Sequence, residues 1–209
     1  MWFPIILTLL TGYMLGNLNG SVSISNLVEK DDVRNHGSGN AGLTNFFRNF
    51  GGWNTLLVFA VDFLKAVLAC YAGGLLLKPY GFYQEGQMLG AIAVTLGHDF
   101  PILLGLKGGK GILCGFTIAL VIDWRIALII LGVFVLLYAT TKFVSLGSVG
   151  GSAMFIVGFA IFHYDNIWLL MGGITLGLLA IYMHRENIKR LVKGAESKVY
   201  LSKKNRNKQ

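Results

Sequence analysis

Apolar stretches of membrane-span length alternate with short polar interruptions along almost the whole chain. A helix needs about 20 apolar residues to cross roughly 30 Å of hydrocarbon, and fewer where it tapers against protein. Seven segments meet that measure, at approximately residues 2–28, 52–77, 84–104, 112–122, 126–141, 149–163 and 166–183. The fourth and sixth are short and read equally as half-spans buried in protein, which lowers the count to five. The pattern predicts an all-α, polytopic integral membrane protein with about seven transmembrane helices, in one domain covering 1–209. The first segment begins at Trp2 with no basic stretch before it and no small-residue cleavage site, so it reads as a retained helix rather than a removed signal peptide.

Composition strengthens the membrane reading: 54% of residues are hydrophobic, 13% are charged and the mean hydropathy is +0.61, far from the soluble balance. Cys70 and Cys114 both lie in apolar runs and are expected as small core residues rather than a disulfide. The net charge of +8 is unevenly placed. Cytoplasmic flanks accumulate Lys and Arg, and with the C-terminus inside, fifteen of the 18 basic residues fall on that face. Lys78 and Arg125 then lie outside and Lys65 within a span. This predicts an outside N-terminus, a cytoplasmic C-terminus, and four segments (30–50, 105–111, 142–148 and 184–196) meeting at one membrane surface. The basic tail, 184–209, carries Ile188, Leu191 and Val192 as an apolar stripe, suited to a helix lying on anionic lipid. Asp62 and Lys65 stand three apart in the second span, where unpaired charge is costly, and are expected to pair.

Two glycine-rich basic segments interrupt the apolar pattern: His36-Gly37-Ser38-Gly39-Asn40-Ala41-Gly42-Leu43-Thr44-Asn45, and Gly105-Leu106-Lys107-Gly108-Gly109-Lys110-Gly111. Glycine lets successive N–H groups converge on one oxyanion, and nearby cations compensate its charge. A phosphate-bearing substrate handled beside lipid is the chemistry these segments suit. Gly37, Gly39 and Gly42 match the dinucleotide fingerprint, but a polar stretch rather than a strand precedes them and Asp62 lies within an apolar helix. The second segment departs from a Walker loop at Leu104 and Gly111, where glycine and Ser or Thr are required. The chain has no G-x-S-x-G elbow and no His followed five positions later by Asp. Metal-ligand spacing is missing too, so neither metal nor organic cofactor is expected. Phosphate contacts without a conventional nucleophile and base favour an already activated substrate, such as acyl transfer from a mixed anhydride to an alcohol.

Three ordered motifs carry a specific resemblance. Gly37 through Asn45 with Arg48, Gly97-His98 through Pro101 to Lys107-Gly108-Gly109-Lys110-Gly111, and His184-Arg185-x-Asn187-Ile188-x-Arg190-Leu191 ending in Gly194 and Glu196 resemble the bacterial PlsY family over essentially the whole chain. The resemblance implies an acyl-phosphate:glycerol-3-phosphate acyltransferase of the bacterial inner (cytoplasmic) membrane, with seven helices and its site facing the cytoplasm. It implies acyl phosphate and sn-glycerol 3-phosphate as substrates, and lysophosphatidic acid and phosphate as products, within phospholipid biosynthesis. Membrane lipids are then the surroundings and an acyl-phosphate-producing enzyme a functional neighbour; nucleic acid is not expected. One departure is early in the first span, where many relatives have Gly-Ser-x-Pro and this chain has Gly16-Asn17-Leu18-Asn19-Gly20. Asn17 and Asn19 are expected to hydrogen-bond across helices instead.

Residue by residue, the resemblance implies that Ser38, Arg48, Lys107, Ser145, His184 and Asn187 bind the two phosphates and the glycerol hydroxyls. Gly37, Gly39, Asn40, Asn45, Gly108, Gly109, Lys110, Gly111 and Arg185 are expected as further phosphate contacts. Arginine can fork onto a phosphate while lysine acts as a point charge. His184 is expected as orienting donor or general base, with the acyl phosphate's own oxygens as the alternative proton acceptor. Turn and cap roles fit Ser38, Asn40 and Asn45, topology charges fit Lys107 and Lys110, and an interfacial anchor fits Arg48. His98 is divided between fold support and site, and Asp99 places an extra potential charge beside the second motif. A transporter of phosphorylated solutes is the chief alternative, with a lipid-binding scaffold behind it; neither accounts for three motifs in order.

Overall fold

In the computed structural model, which describes residues 1–200, the chain is all helical. The bundle comprises α1 (Trp2–Asn17), α2 (Gly20–Ile24), α3 (Leu43–Asn49), α4 (Asn54–Leu77), α5 (Tyr83–Asp99), α6 (Ile112–Ile122), α7 (Trp124–Thr141), α8 (Val144–Phe162), α9 (Ile167–Met183) and α10 (Arg185–Val192). Four helices are long and apolar enough to cross a membrane, or up to six if each of two bent pairs counts as one span. α6 is helical over the expected 112–122 and is short, at 11 residues. The distal tail, 201–209, which completes the expected 184–209 segment, lies outside the described residues.

Small residues let the first helices approach closely, as in other membrane bundles. A Cβ added to Gly16 of α1 would come within 2.4 Å of the Val94 carbonyl oxygen of α5. The core is shared by α4, α5, α6, α7, α8 and α9, with Cys70, Val94, Cys114, Ile118, Ile126 and Phe159 at 0% exposure. Both cysteines are free and buried.

Two boundaries differ from the apolar pattern. The expected 2–28 span is broken after α1, and the two pieces bend by 41°. Asn19 caps α2 through its side-chain oxygen, which accepts from Val22 N at 3.0 Å, while its amide donates to the Ala41 carbonyl at 3.0 Å. Asn17 accepts from Leu103 N at 3.1 Å, so both asparagines bond to other elements. The second difference is at 142–148, expected as a loop before a short span. Instead α8 starts at Val144 and runs 19 residues, placing Ser145 and Ser148 in its first turns. Packing explains it: a Cβ on Gly147 would meet the Phe134 ring at 2.9 Å, so the glycines and serines that lower hydropathy there fit α8 against α7.

The expected Asp62–Lys65 pair forms at 2.7 Å, with both side chains buried. Lys65 also donates to the Leu18 carbonyl at 2.8 Å and to His98 Nδ1 at 2.8 Å. Asp62 accepts from Gly20 N at 3.1 Å. The pair therefore holds both sides of the break in the first span and the end of α5.

Candidate active site

Four segments converge at one end of the bundle around a cavity of about 1130 Å³. They are the loop and helix around α3, the glycine-rich loop before α6, the start of α8, and α10 with the chain that follows it.

The first glycine-rich segment turns through Gly37 (φ +55°) and Gly39 (φ +69°), backbone conformations that side chains disfavour. Asn45 organises this turn. Its oxygen accepts from Ser38 N at 3.1 Å, and its amide contacts the carbonyls of Val33, His36 and Asn40 at 3.0, 3.0 and 3.1 Å. Asn45 thus lines the cavity with its own hydrogen bonds committed to the loop. Gly37, Ser38, Asn40 and Arg48 line the same wall. Arg48, on α3, donates Nη2 to the Ser197 carbonyl at 3.1 Å, and its buried Nε has no hydrogen-bond partner among the described residues. Burial holds this guanidinium below its ordinary pKa.

The second segment is pressed onto the end of α5. Gly109 N donates to the His98 carbonyl at 3.0 Å and Gly108 N to that of Asp99 at 3.2 Å. A Cβ on Gly109 would sit 2.0 Å from His98 Nε2, so a glycine is required there. His98 supports this loop and also lines the cavity. Asp99 is buried beneath it, with both carboxylate oxygens unpartnered among the described residues. Lys110 and Gly111 line the main cavity. Lys110 is held below its ordinary pKa, first by burial and then by Arg190, with Arg185 and Arg48 adding to the effect and Glu196 opposing it.

The third wall is tied together by Glu196. Its carboxylate accepts from Ser145 Oγ at 3.0 Å, Asn187 Nδ2 at 2.9 Å and Arg190 Nε at 2.7 Å. Burial alone would raise this carboxyl; the hydrogen bonds from Asn187, Arg190 and Ser145 outweigh it and hold the group below its ordinary value. Asn187 accepts from Lys110 Nζ, linking the loop before α6 to α10. His184, at the junction of α9 and α10, hydrogen-bonds through Nδ1 to the Ala180 carbonyl at 2.8 Å. That acceptor requires the proton on Nδ1 and leaves Nε2 as the basic nitrogen.

Ser38, Arg48, Lys110, Ser145, His184 and Asn187 are therefore brought together, with Gly37, Asn40, Asn45 and Gly111 beside them. Lys107 and Gly39 line a separate cavity of about 590 Å³, along with Arg34 and Asp32. There Arg34 forks onto Asp32 at 2.7 Å and donates to the Leu104 carbonyl at 3.0 Å, tying together the stretches that lead into the two glycine-rich segments. Gly108 and Gly109 form the loop without lining the main cavity, and Arg185 stacks over the Tyr182 ring at 4.4 Å. Arg190 and Glu196 belong to the third motif, and the structure adds them to the site residues the sequence implies. The signal was present in their spacing, since a carboxylate six residues beyond an arginine past a turning Gly194 can fold back onto it.

Below the polar groups the cavity turns apolar and reaches the outside of the bundle at Phe59 and Leu131, which are 39% and 43% exposed.

A family model described as glycerol-3-phosphate acyltransferase matches residues 6–194. The glycerol-3-phosphate acyltransferase of Thermoanaerobacter pseudethanolicus is 39% identical over 194 residues, covering 93% of this chain and 95% of the relative. That of Finegoldia magna is 39% identical over 187 residues, covering 90% and 92%. Among solved structures, PlsY (YgiH), an integral membrane glycerol 3-phosphate acyltransferase in its glycerol 3-phosphate form, superposes with a TM-score of 0.85 at 31% identity, covering 94% of this chain and 96% of that one. Its lysophosphatidic acid form gives a TM-score of 0.82 at 28% identity, covering 98% and 99%. With its apolar helices and these neighbours the protein is a multi-pass membrane protein, and the chain belongs to the PlsY family of glycerol-3-phosphate acyltransferases.

Proposed function

We propose that this protein transfers an acyl group from acyl phosphate to sn-glycerol 3-phosphate, releasing lysophosphatidic acid and inorganic phosphate, at the cytoplasmic side of the bacterial inner membrane. The observation that carries this reading is the union, in one cavity, of a polar end lined by Arg48, Lys110 and Arg190 with an apolar depth. Arg48 Nε, buried and unpartnered among the described residues, suits a phosphate oxygen. The concentration of basic residues on the segments forming that end supports the cytoplasmic placement.

In this mechanism the acceptor's hydroxyl oxygen attacks the acyl carbonyl carbon, and the tetrahedral intermediate collapses by breaking the bond from that carbon to the phosphate oxygen. The cations stabilise both substrate phosphates and the departing one. Ser38, Ser145 and Asn187 position the acceptor, and Lys107 joins from its neighbouring cavity as a further phosphate contact. His184 Nε2 takes the hydroxyl proton. A second reading, in which a departing phosphate oxygen takes it, is favoured by the commitment of the two cavity carboxylates. Asp62 is paired with Lys65, and Glu196 accepts three hydrogen bonds.

The test uses purified protein, palmitoyl phosphate and radiolabelled glycerol 3-phosphate, with Arg48→Ala and Lys107→Ala controls. Labelled lysophosphatidic acid that requires acyl phosphate, rather than acyl-CoA or acyl carrier protein, is the expected result, with collapse in the Arg48 variant. A folded protein inactive with acyl phosphates overturns the reading. In His184→Ala at saturating substrates, a fall in kcat of about 10²–10⁴ identifies the proton acceptor, whereas retained kcat assigns that role to phosphate.

A further inference from the structure

The main cavity that Lys110 and Gly111 line also has apolar walls, which include Phe59 of α4, Ile130 and Phe134 of α7, and Phe155 of α8 and form its apolar arm. α6 is the helix that packs substantially against both α4 and α7. Its 11 residues rise about 16 Å, half the hydrocarbon thickness, so it fills only part of the gap between them.

Gly115, on α6, borders this arm. Gly115 is itself half-buried and shares a helix face with Ile118 and Ala119, three and four positions on, both 0% exposed, so the surface it leaves accessible is toward the cavity it lines. A Cβ built on Gly115 nevertheless meets no heavy atom within 4 Å. Buried glycines of the bundle differ: a Cβ on Gly158 would come within 2.7 Å of Ile126, and one on Gly172 within 2.3 Å of Met88; Gly132 of α7 is equally unobstructed but is exposed on the outside of its helix and does not line the cavity. Gly115 also has no positive φ. Neither helix packing nor backbone conformation requires a glycine here, and glycine in a helix interior costs about 1 kcal/mol relative to alanine. What the missing side chain preserves is internal apolar space next to the phosphate-binding end.

We propose that Gly115 determines which acyl chains the site accepts, by keeping open the channel through which the chain runs from its carbonyl into the bundle. This rests on the acyl-transfer reading above. Gly115 is about 6 Å along the helix from Gly111, so a side chain there meets the acyl chain near its carboxyl end. Long donors, which must extend past that point, then lose most.

The experiment measures kcat/KM of the detergent-purified protein for a donor series from butyryl to palmitoyl phosphate, in the native chain and in Gly115→Ala, Gly115→Val and Gly115→Leu. The expected result is a graded shift of the preferred donor to shorter chains, with palmitoyl falling at least about tenfold relative to the short donors in the leucine variant. KM for glycerol 3-phosphate should stay at the native value. An unchanged profile in Gly115→Leu, or an equal loss for every donor with a raised KM for glycerol 3-phosphate, overturns the proposal. Failure of the native chain with every acyl phosphate overturns instead the acyl-transfer reading beneath it.

Discussion

Glu196 shows how much of the site rests on one side chain. Three donors from α8 and α10 end on its carboxylate, so Glu196→Ala leaves Ser145, Asn187 and Arg190 without that acceptor at once. A loss of about 1–3 kcal/mol is expected, read as a lower thermal midpoint in detergent. Its carboxyl is held below the ordinary value, so its stabilisation is present above pH ~4.5 and is lost as pH falls through the depressed folded value. The midpoint of Glu196→Gln should therefore respond less to acid than the native protein's. Lys110 titrates in the opposite sense. Its ammonium deprotonates below the ordinary 10.5 because of burial and the neighbouring Arg190, so affinity for a phosphate substrate should fade as pH rises through that lowered value. Lys110→Arg should hold its KM for glycerol 3-phosphate to higher pH.

At the scale of elements, apolar length located the helices well, and the misses have physical causes. A run of glycine and serine reads as a loop by hydropathy, yet Gly147 and Ser148 sit in α8 because small residues let it pack on α7. The break after α1 was foreshadowed by Asn17 and Asn19, but a cap is recognisable only once Val22 N and Leu103 N are seen to bond to them. Asn19→Ala removes both its bonds and should cost about 1–2 kcal/mol, with slower acyl transfer because the loop at Ala41 loses its tether. The candidate site was legible as motifs, since the glycine-rich basic segments pointed to a phosphate and the family resemblance of the three motifs implied Arg48, Lys110, His184 and Asn187. The separation of Lys107 and Gly39 into a second cavity was not, because whether Lys107 or Lys110 faces the main cavity depends on how Gly108 and Gly109 lie against His98.

For the molecule as a whole, buried charge and buried glycine do complementary work. The Asp62–Lys65 pair clamps α4 to the broken first span and to α5, so removing one partner leaves an uncompensated charge inside the bundle. Lys65→Met should lower stability by about 3–5 kcal/mol, whereas joint replacement of both by apolar residues should recover part of the loss, measured as unfolding in detergent. Because that clamp reaches His98, on which the second glycine-rich loop rests, the same change is expected to weaken phosphate binding without altering any group that touches phosphate.

The apolar opening at Phe59 and Leu131 bears on how turnover ends. A single-chain lipid expelled through water would pay about 0.8 kcal/mol for every methylene exposed, and its release would slow steeply with tail length. Discharge straight into the surrounding leaflet involves no such exposure. Rates of lysophosphatidic acid release in reconstituted vesicles should then be nearly independent of tail length.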